Sequence, residues 1–598
     1  MAAVEIHGNH AIDDDTLLSG LTTRGAADSR GALDPYELDQ DSERLRGLYQ
    51  RRGYFEVVVR PEARRHGDAT TVVFAITEGT RATLARVDLL GLPDDPAVAP
   101  AALRARIAIR DGEPFSYDAY DAAKTTLLQA VQDAGYARAS VDATAIADRP
   151  RHEAAIRMVF TPGPRCAFGE VTLVGVTGEL AGAARARIAA RPGARYSAAA
   201  LGATQSALYE LGRFAIVRVE PDLERPDAVV PVRITVSPAS RHQIRFGGGV
   251  GIDQLTWQAR GRAGYTQAGV LDELTTLDLE LRPAVTVTQV GFVPDLHDPQ
   301  PRLEGAASLR RLDLFVPRLT GDLAVTAQYL QLEAYTVYGP RLRAGLSTVL
   351  HGQQIQLAAG AQLWELGFSA PNDALDAATR TRLGLDGREQ VVALDQSVVL
   401  DLRGNPLEPT QGVYAALRLV EGIPGLVGRQ WFLQATPEVR GYLALGSFVV
   451  SARARLGVIA GDVPVTERFY GGGAASERGF AERQLSPRAR QDNQAVAIGG
   501  AGELETSLEI RRAIGRWNGL SWNGAVFLDG GDVTDHASEL SLGDLYWAAG
   551  AGLRAVVGPI PVRVDLGYRL NRTGAGDPLP APTVLDRVQF HLGIGKAF

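Results

Sequence analysis

RFYGGGAASERGFAERQLSP, residues 468–487, sets three consecutive glycines (Gly471, Gly472 and Gly473) ahead of a single Arg-Gly-Phe at Arg478, Gly479 and Phe480. A glycine run gives the backbone conformations that other residues avoid, which suits a loop pressed into a tight space. A guanidinium held in such a space needs a partner, because an unpaired charge away from water is costly. The stretch lies between SARARLGVIAG (451–461) and ELETSLEIRRA (503–513), in a segment of roughly forty residues with no clear strand pattern of its own; loops of that length are uncommon and usually functional. Just downstream, GAVFLDGGDV (524–533) places Asp529 after an apolar run that reads as a strand. Arg478 is therefore either a surface arginine on a flexible loop or the partner of a carboxylate inside the fold.

The surroundings bear on that choice. From Ser240 onward the chain alternates apolar and polar residues in stretches such as LTTLDLELRPAVTVTQVGF, AVTAQYLQLEAYTVYG and VRVDLGYRL, separated by Gly, Pro, Asp and Asn. Repeated period-two alternation fits either a large soluble β-sandwich, propeller or solenoid, or an outer-membrane barrel whose strands face lipid and lumen in turn. At roughly 22 residues per strand with its connection, residues 241–598 hold about 16 strands. The final segment favours the membrane barrel: Val588, Phe590, Leu592, Ile594 and Phe598 share one face, with Lys596 the exception. A strand running to the last residue is unusual for a soluble protein, whose termini fray. A barrel of this size has room for a loop inside it, and a carboxylate at position 529 would face that loop.

Before Ser240 the pattern differs. VEIHGN, VDLLGL and VTLVGV, starting at Val4, Val87 and Val171, are three copies of a short strand ending in a glycine. Each precedes helical pattern and a second helix that closes at Gly53, Gly135 or Gly212, followed by two further alternating strands. The order β-α-α-β-β thus occurs three times, with boundaries expected at 1–81, 82–164 and 165–240, ahead of a barrel over 241–598. Units of about 80 residues can hold a small core of their own.

Composition excludes several classes. The formal net charge of -7 gives no reason to expect a nucleic-acid partner. The basic residues are almost all arginine, with lysine only at Lys124 and Lys596. The single cysteine, Cys166, rules out an internal disulfide and a cysteine-rich metal site. No apolar run is long enough for a transmembrane helix. No leader is readable, since Met1-Ala2-Ala3 runs straight into Val4; alone this points to the cytoplasm, and a chain numbered after a removed leader reads the same way. Asp529, Asp532 and Asp535 have the wrong spacing for a calcium loop. His7 and His10 lack a second ligand pair, and FGGGVGID at Phe246 lacks the helix a dinucleotide site needs. With no Gly-x-Ser-x-Gly elbow, HExxH or P-loop pattern, we expect no catalytic residues, no metal site and no cofactor.

At these residues the sequence resembles the BamA/TamA outer-membrane assembly superfamily. RFYGGGAASERGF is similar to that family's sixth extracellular loop, with Arg478-Gly479-Phe480 at its Arg-Gly-aromatic core. FLDGG (Phe527, Asp529, Gly531) matches the Phe-x-Asp-x-Gly strand motif, and SLEI around Glu509 resembles the neighbouring strand's acidic position. DLRGNPLEPTQG (401–412) resembles the family's Asp-x-Arg…Pro-x-x-Gly segment. The three modules resemble POTRA domains. The resemblance implies that Arg478 pairs with Asp529 inside the lumen, with Glu509 nearby. In one departure, Glu477 stands where the family has Val or Ile; that acid would compete with Asp529 for Arg478 or form a salt bridge elsewhere.

Module number and the junction SPASRHQIRFGGGVGI point to the TamA branch. The implied function is a non-enzymatic factor that inserts barrel proteins or autotransporters into the outer membrane, with POTRA domains in the periplasm. The alternatives are a two-partner-type secretion pore or a BamA-type core assembly subunit; a passive porin would need neither modules nor loop. Implied partners are unfolded outer-membrane clients, outer-membrane lipid and a periplasm-spanning TamB-like protein reached through the POTRA domains. A machine releasing strands sideways needs a weak seam. Glycines cluster in the first barrel strand (Gly247, Gly248, Gly249, Gly251) and in the last (Gly593, Gly595, ahead of Phe598), and strand glycines weaken pairing. The competing reading is that these glycines relieve crowding in a lumen filled by the loop.

Overall fold

Each N-terminal repeat is built around the same close approach. The strands Ala3–His7, Thr83–Leu90 and Ala167–Val174 run into glycines of positive φ, Gly8 at 85°, Gly91 at 73° and Gly175 at 96°. A Cβ at these positions would lie 2.2, 2.2 and 2.0 Å from the carbonyl oxygens of Ile76, Phe160 and Val236. Only glycine fits there. Those carbonyls belong to the central strand of each sheet: Ala69–Thr77, Glu153–Thr161 and Val229–Pro238. Each central strand runs parallel to the first strand of its repeat and antiparallel to the second.

The computed structural model describes all residues except 1–2, 25–33, 67–68, 225–226, 254–255, 291–292, 295, 298, 370–371, 374, 407, 426, 492–493, 518–519, 558–559, 575–576 and 595–598. It forms two compact units, Met1–Thr177 with Ala184–Ala239, and Gly178–Ala183 with Ser240–Phe598.

The longer helix of each repeat, Pro35–Arg51, Tyr117–Asp133 or Ala198–Glu210, starts at a side-chain cap. Asp34 accepts from Tyr36 N, Ser116 from Ala119 N and Ser197 from Ala200 N, which satisfies one otherwise unpaired amide at each helix start. Just past the helix ends, Gly53, Gly135 and Gly212 have φ of 92°, 102° and 64°, as the sequence suggested. Leu45, Tyr49 and Phe74 are buried in the first repeat, Leu127, Ile156 and Met158 in the second, and Leu208, Val230 and Ile234 in the third.

From His242 the chain forms a closed antiparallel barrel of sixteen strands, with a two-residue bridge, Val293–Pro294, beside the third. The period-two pattern sorts its faces. Phe246, Leu323, Val325, Leu508, Ile510, Val526 and Leu566 are exposed on the outer face. Glu503, Glu505, Asp529 and Asp565 are buried on the inner one. Carbon-rich side chains pointing out of a closed sheet need an apolar solvent, and pairing of backbone amides between neighbouring strands is how a sheet crosses a bilayer. Among the described residues no helix is long and apolar enough to cross a membrane.

Among the described residues, the first strand (His242–Asp253) meets the last (Val588–Ile594) from Val250 opposite Ile594 to Asp253 opposite His591. Its other neighbour, Thr256–Ala268, is paired to it from His242 through Ile252. At the end of the barrel with the long loops, Trp364, Leu366, Val391 and Phe432 of the wall pack with Leu375, Leu383, Val465 and Phe469 of the loops. The loop read as strandless carries a short hairpin, Arg488–Gln491 with Gln494–Ala497.

Candidate functional site

Phe527 and Asp529 sit two apart on the thirteenth barrel strand, Leu520–Thr534, so both side chains point into the lumen. There they meet Arg478. Its Nε and Nη2 donate to Asp529 Oδ2 and Oδ1 at 2.6 and 2.7 Å, and its backbone N–H donates to Oδ2 at 3.2 Å. The guanidinium carbon lies 3.4 Å from the centroid of the Phe527 ring, a cation held over the negative face of an aromatic. Arg478 is 4% exposed and Asp529 0%. This is a buried, two-pronged ion pair, the geometry in which arginine is held most specifically.

The twelfth strand, Gly502–Trp517, completes the site. Glu509 Oε2 accepts from Arg478 Nη1 at 2.7 Å, and Ser507 Oγ accepts from Nη2 at 3.2 Å while donating to Asp529 at 2.7 Å. Glu509 also binds Arg554 of the fourteenth strand (Tyr546–Val557) through both oxygens, each at 2.6 Å. Asp565, on the fifteenth strand (Ile560–Arg569), is fully buried beside Arg563 and lies 3.9 Å from Arg478 Nη1.

Two glycines let the loop backbone touch the wall. A Cβ on Gly479 would stand 2.5 Å from that of Ala548, and one on Gly567 would stand 2.2 Å from the carbonyl oxygen of Arg478. Phe480 is fully buried, edge-on to Tyr546 at 5.3 Å with Arg569 4.2 Å over its ring. Gly531 is less crowded: Leu485 of the loop lies 3.5 Å from where its Cβ would be, an ordinary contact.

The structure thus brings together Arg478, Gly479, Phe480, Glu509, Asp529 and Gly531. Arg554, Asp565, Gly567, Arg569 and His591 also belong to the site but were not singled out from sequence; in an alternating pattern each looks like any other inward position.

Glu477 departs from both alternatives read from sequence. It forms no ion pair among the described residues, and neither carboxyl oxygen finds a hydrogen bond of ordinary geometry although the side chain is buried. Its neighbour Arg478 turns the other way to Asp529, so no competition arises. Burial, with the charge of Asp529 adding to it, pushes the Glu477 carboxyl well above the usual carboxylate range.

The two ends of the 401–412 motif lie together. Arg403 binds Asp401 at 2.8 and 2.6 Å, and Gly412 takes φ 107° against the Leu402 carbonyl. Beside Arg403 and the lock is a cavity of about 1030 Å³ lined also by Arg440, Arg453, Arg478, Glu509, Arg511 and Arg554.

Among the seam glycines, Gly248 and Gly251 would carry a Cβ with nothing nearer than 3.6 and 3.4 Å, and at Gly593 nothing lies within 4 Å. Crowding therefore does not require glycine at these three. Gly595 and Phe598 lie outside the described residues.

Fold and site define a lipid-spanning barrel that carries soluble repeats and holds one of its own loops inside by a buried arginine. Residues 294–598 match the Omp85 superfamily domain, half of the chain, and the chain belongs to that superfamily. Residues 1–79 match POTRA, the surface antigen variable number repeat. It is an outer-membrane barrel with POTRA-type repeats in the periplasm. Over 140 residues the chain is 27% identical to the outer membrane protein assembly factor BamA of Neorickettsia risticii (strain Illinois), which is 22% of this chain and 19% of that protein. The crystal structure of BamA from Haemophilus ducreyi lacking POTRA domains 1-3 has the same fold, with TM-score 0.56 at 17% identity, covering 86% of this chain and all of that one. CdiB from Acinetobacter baumannii is more distant, with TM-score 0.47 at 12% identity over 98% of this chain and 100% of that one.

Proposed function

We propose that this protein inserts unfolded barrel clients into the outer membrane by opening the seam between its first and last strands and offering an edge for strand addition. The observation that carries this reading is the seam itself. It joins the first strand to the last at Val250–Asp253, and Gly248, Gly251 and Gly593 on these two strands are glycines that no neighbouring atom demands. Strand glycines there add no packing and cost more entropy to order.

Two assignments within the family compete. Three repeats are the feature behind the TamA-like reading, with autotransporters as clients and a TamB-like partner on the POTRA domains. The relatives matched in sequence and in fold carry the BamA name, and they favour a BamA-type assembly subunit. A two-partner-type secretion pore fits less well, because the lumen holds a locked loop and an apolar cluster at its long-loop end. Omp85-family assembly factors are not enzymes.

The test is a cysteine pair across the seam in a Cys166→Ser background. Oxidation should abolish client insertion, and reduction should restore it. Full activity of the verified, locked form would leave transport through the lumen as the better account. Depletion followed by a census of outer-membrane proteins would separate the branches: general loss is expected of a BamA-type subunit, and loss confined to autotransporters of a TamA-like factor.

A further inference from the structure

The loop that carries Arg478 also reaches both strands of the seam. The carbonyl oxygen of Arg478 lies 3.3 Å from Nε2 of His591 on the last strand. A carbonyl oxygen only accepts, so that nitrogen carries the hydrogen. The same carbonyl is held against the fifteenth strand at Gly567, next to the last strand in the sheet. Four residues further on, the Glu482 N–H faces Oδ2 of Asp253 on the first strand at 3.5 Å. Oδ1 of Asp253 accepts from Thr256 N at 2.7 Å, which orients the carboxylate with Oδ2 towards the loop. His591 and Asp253 are register partners across the seam, and both are buried on its inner side.

We propose that residues 478–482 form a strap across the inside of the seam, with His591 and Asp253 as its two positioning anchors, so that release of the Arg478 lock and parting of the first and last strands are one coupled event. The inference deepens the seam-opening function proposed above and rests on it. When the two strands part, His591 and Asp253 move away from each other, and a strap fixed at both ends must give up one contact. Conversely, Arg478 binds the wall through both ends of the residue, its guanidinium on Asp529 and its carbonyl on His591. Freeing the guanidinium loosens the carbonyl. A signal arriving at either place therefore reaches the other without a conformational wave through the sheet.

The experiment is hydrogen exchange on the full-length protein in phospholipid vesicles, following residues 250–253 and Val588–Ile594, with Ile355–Ser369 on the far wall as reference. His591→Ala should raise seam exchange about 2- to 10-fold, the weight of one neutral hydrogen bond, and leave the reference unchanged. His591→Gln keeps an amide donor at similar reach and should restore protection, which a space-filling role for the imidazole would not predict. Asp253→Asn keeps the oxygen that Thr256 uses and replaces the one facing Glu482, so it should raise exchange in the same way. If His591→Ala fails to insert, Asp253→Asn carries the test. In an Arg478→Ala background, where the strap has lost its side-chain hold on the wall, either substitution should add less than it does alone. Unchanged seam exchange in the single variants, or additive increases on Arg478→Ala, would overturn the strap. Because exchange reads opening and not client insertion, a faster seam in a protein whose disulfide-locked form still inserts clients would retain the strap and remove the proposed function.

Discussion

Arg478→Ala removes the side chain that holds the loop, and the surrounding contacts bound its cost. Asp529 would keep Ser507 Oγ and the backbone N–H of residue 478, and Glu509 would keep both bonds to Arg554. What is lost is the two-pronged pair between side chains that are 5% and 1% exposed. Breaking a buried pair by removing one partner costs about 3–5 kcal/mol, because the other charge stays uncompensated. The remaining donors on Asp529 place this case at the lower end, about 3 kcal/mol, or on the order of 100-fold in the folded ratio. Asp529→Ala should cost a similar amount, since Arg478 would retain Glu509 at 2.7 Å. The double variant should be little worse than either single one, giving a coupling energy of about 3 kcal/mol. Urea unfolding of the barrel refolded in detergent, followed by tryptophan fluorescence, reads all three. Additive losses, or a loss below about 0.5 kcal/mol for either single variant, would mean that the pair does not hold the loop.

Three further outcomes follow from named contacts. Gly479→Ala drives a methyl against Ala548 and should cost about 1–3 kcal/mol as overpacking; Ala548→Gly should recover part of it in the same unfolding assay. A carboxyl raised in the folded state costs stability once pH exceeds its unfolded value of about 4.3, so Glu477→Gln should stabilise the barrel at pH 7, with the gain shrinking as pH falls toward ~4 and absent below it. In the first repeat, partial burial opposes ionisation of Glu78, but hydrogen bonds from the N–H groups of Ala11 and His10 and from the Tyr49 hydroxyl outweigh it and hold the carboxyl below its usual range. That contribution is present above the unfolded value and is lost as pH falls through the folded one. The fragment 1–240, expected to be soluble and folded alone, should lose stability on acidification below about pH 4, and Glu78→Gln should flatten that loss in a thermal melt.

The parts of this molecule that were legible in sequence are those that local pattern encodes. Gly8, Gly91 and Gly175 marked three strand ends because each repeat needs the same bare backbone there. Phe527 and Asp529 could be placed on one face because strand geometry fixes the direction of residues two apart. The lock was found because a loop motif and a strand motif resemble one family's pair. What stayed hidden depends on register between strands distant in sequence. Arg554 and Asp565 are inward charges among many, and only the offset of strands twelve to fifteen makes them neighbours of Arg478. Gly567 looked like any strand glycine until the carbonyl of Arg478 was seen against it. The hairpin Arg488–Gln491 with Gln494–Ala497 is too short and too mixed in polarity to show a period. In sequence Glu477 reads as an anion in search of a cation, whereas its burial in the fold favours the neutral form.

The wall residues that grip Arg478 itself lie later in the chain: Asp529 is 51 positions on, and His591 113. Arg478 emerges first and waits for these partners, so its capture is made stepwise, strand by strand, and completed only when the strand Val588–Ile594 docks. Contacts this distant in sequence form slowly, because loop-closure entropy must be met before they return any energy. Refolding should therefore end in a slow phase in which barrel closure and loop capture coincide, and chains lacking Val588–Ile594 should stall before it with Arg478 already paired to Asp529. The order of synthesis then becomes part of the design: the piece that must end up inside is made before the wall that shuts it in.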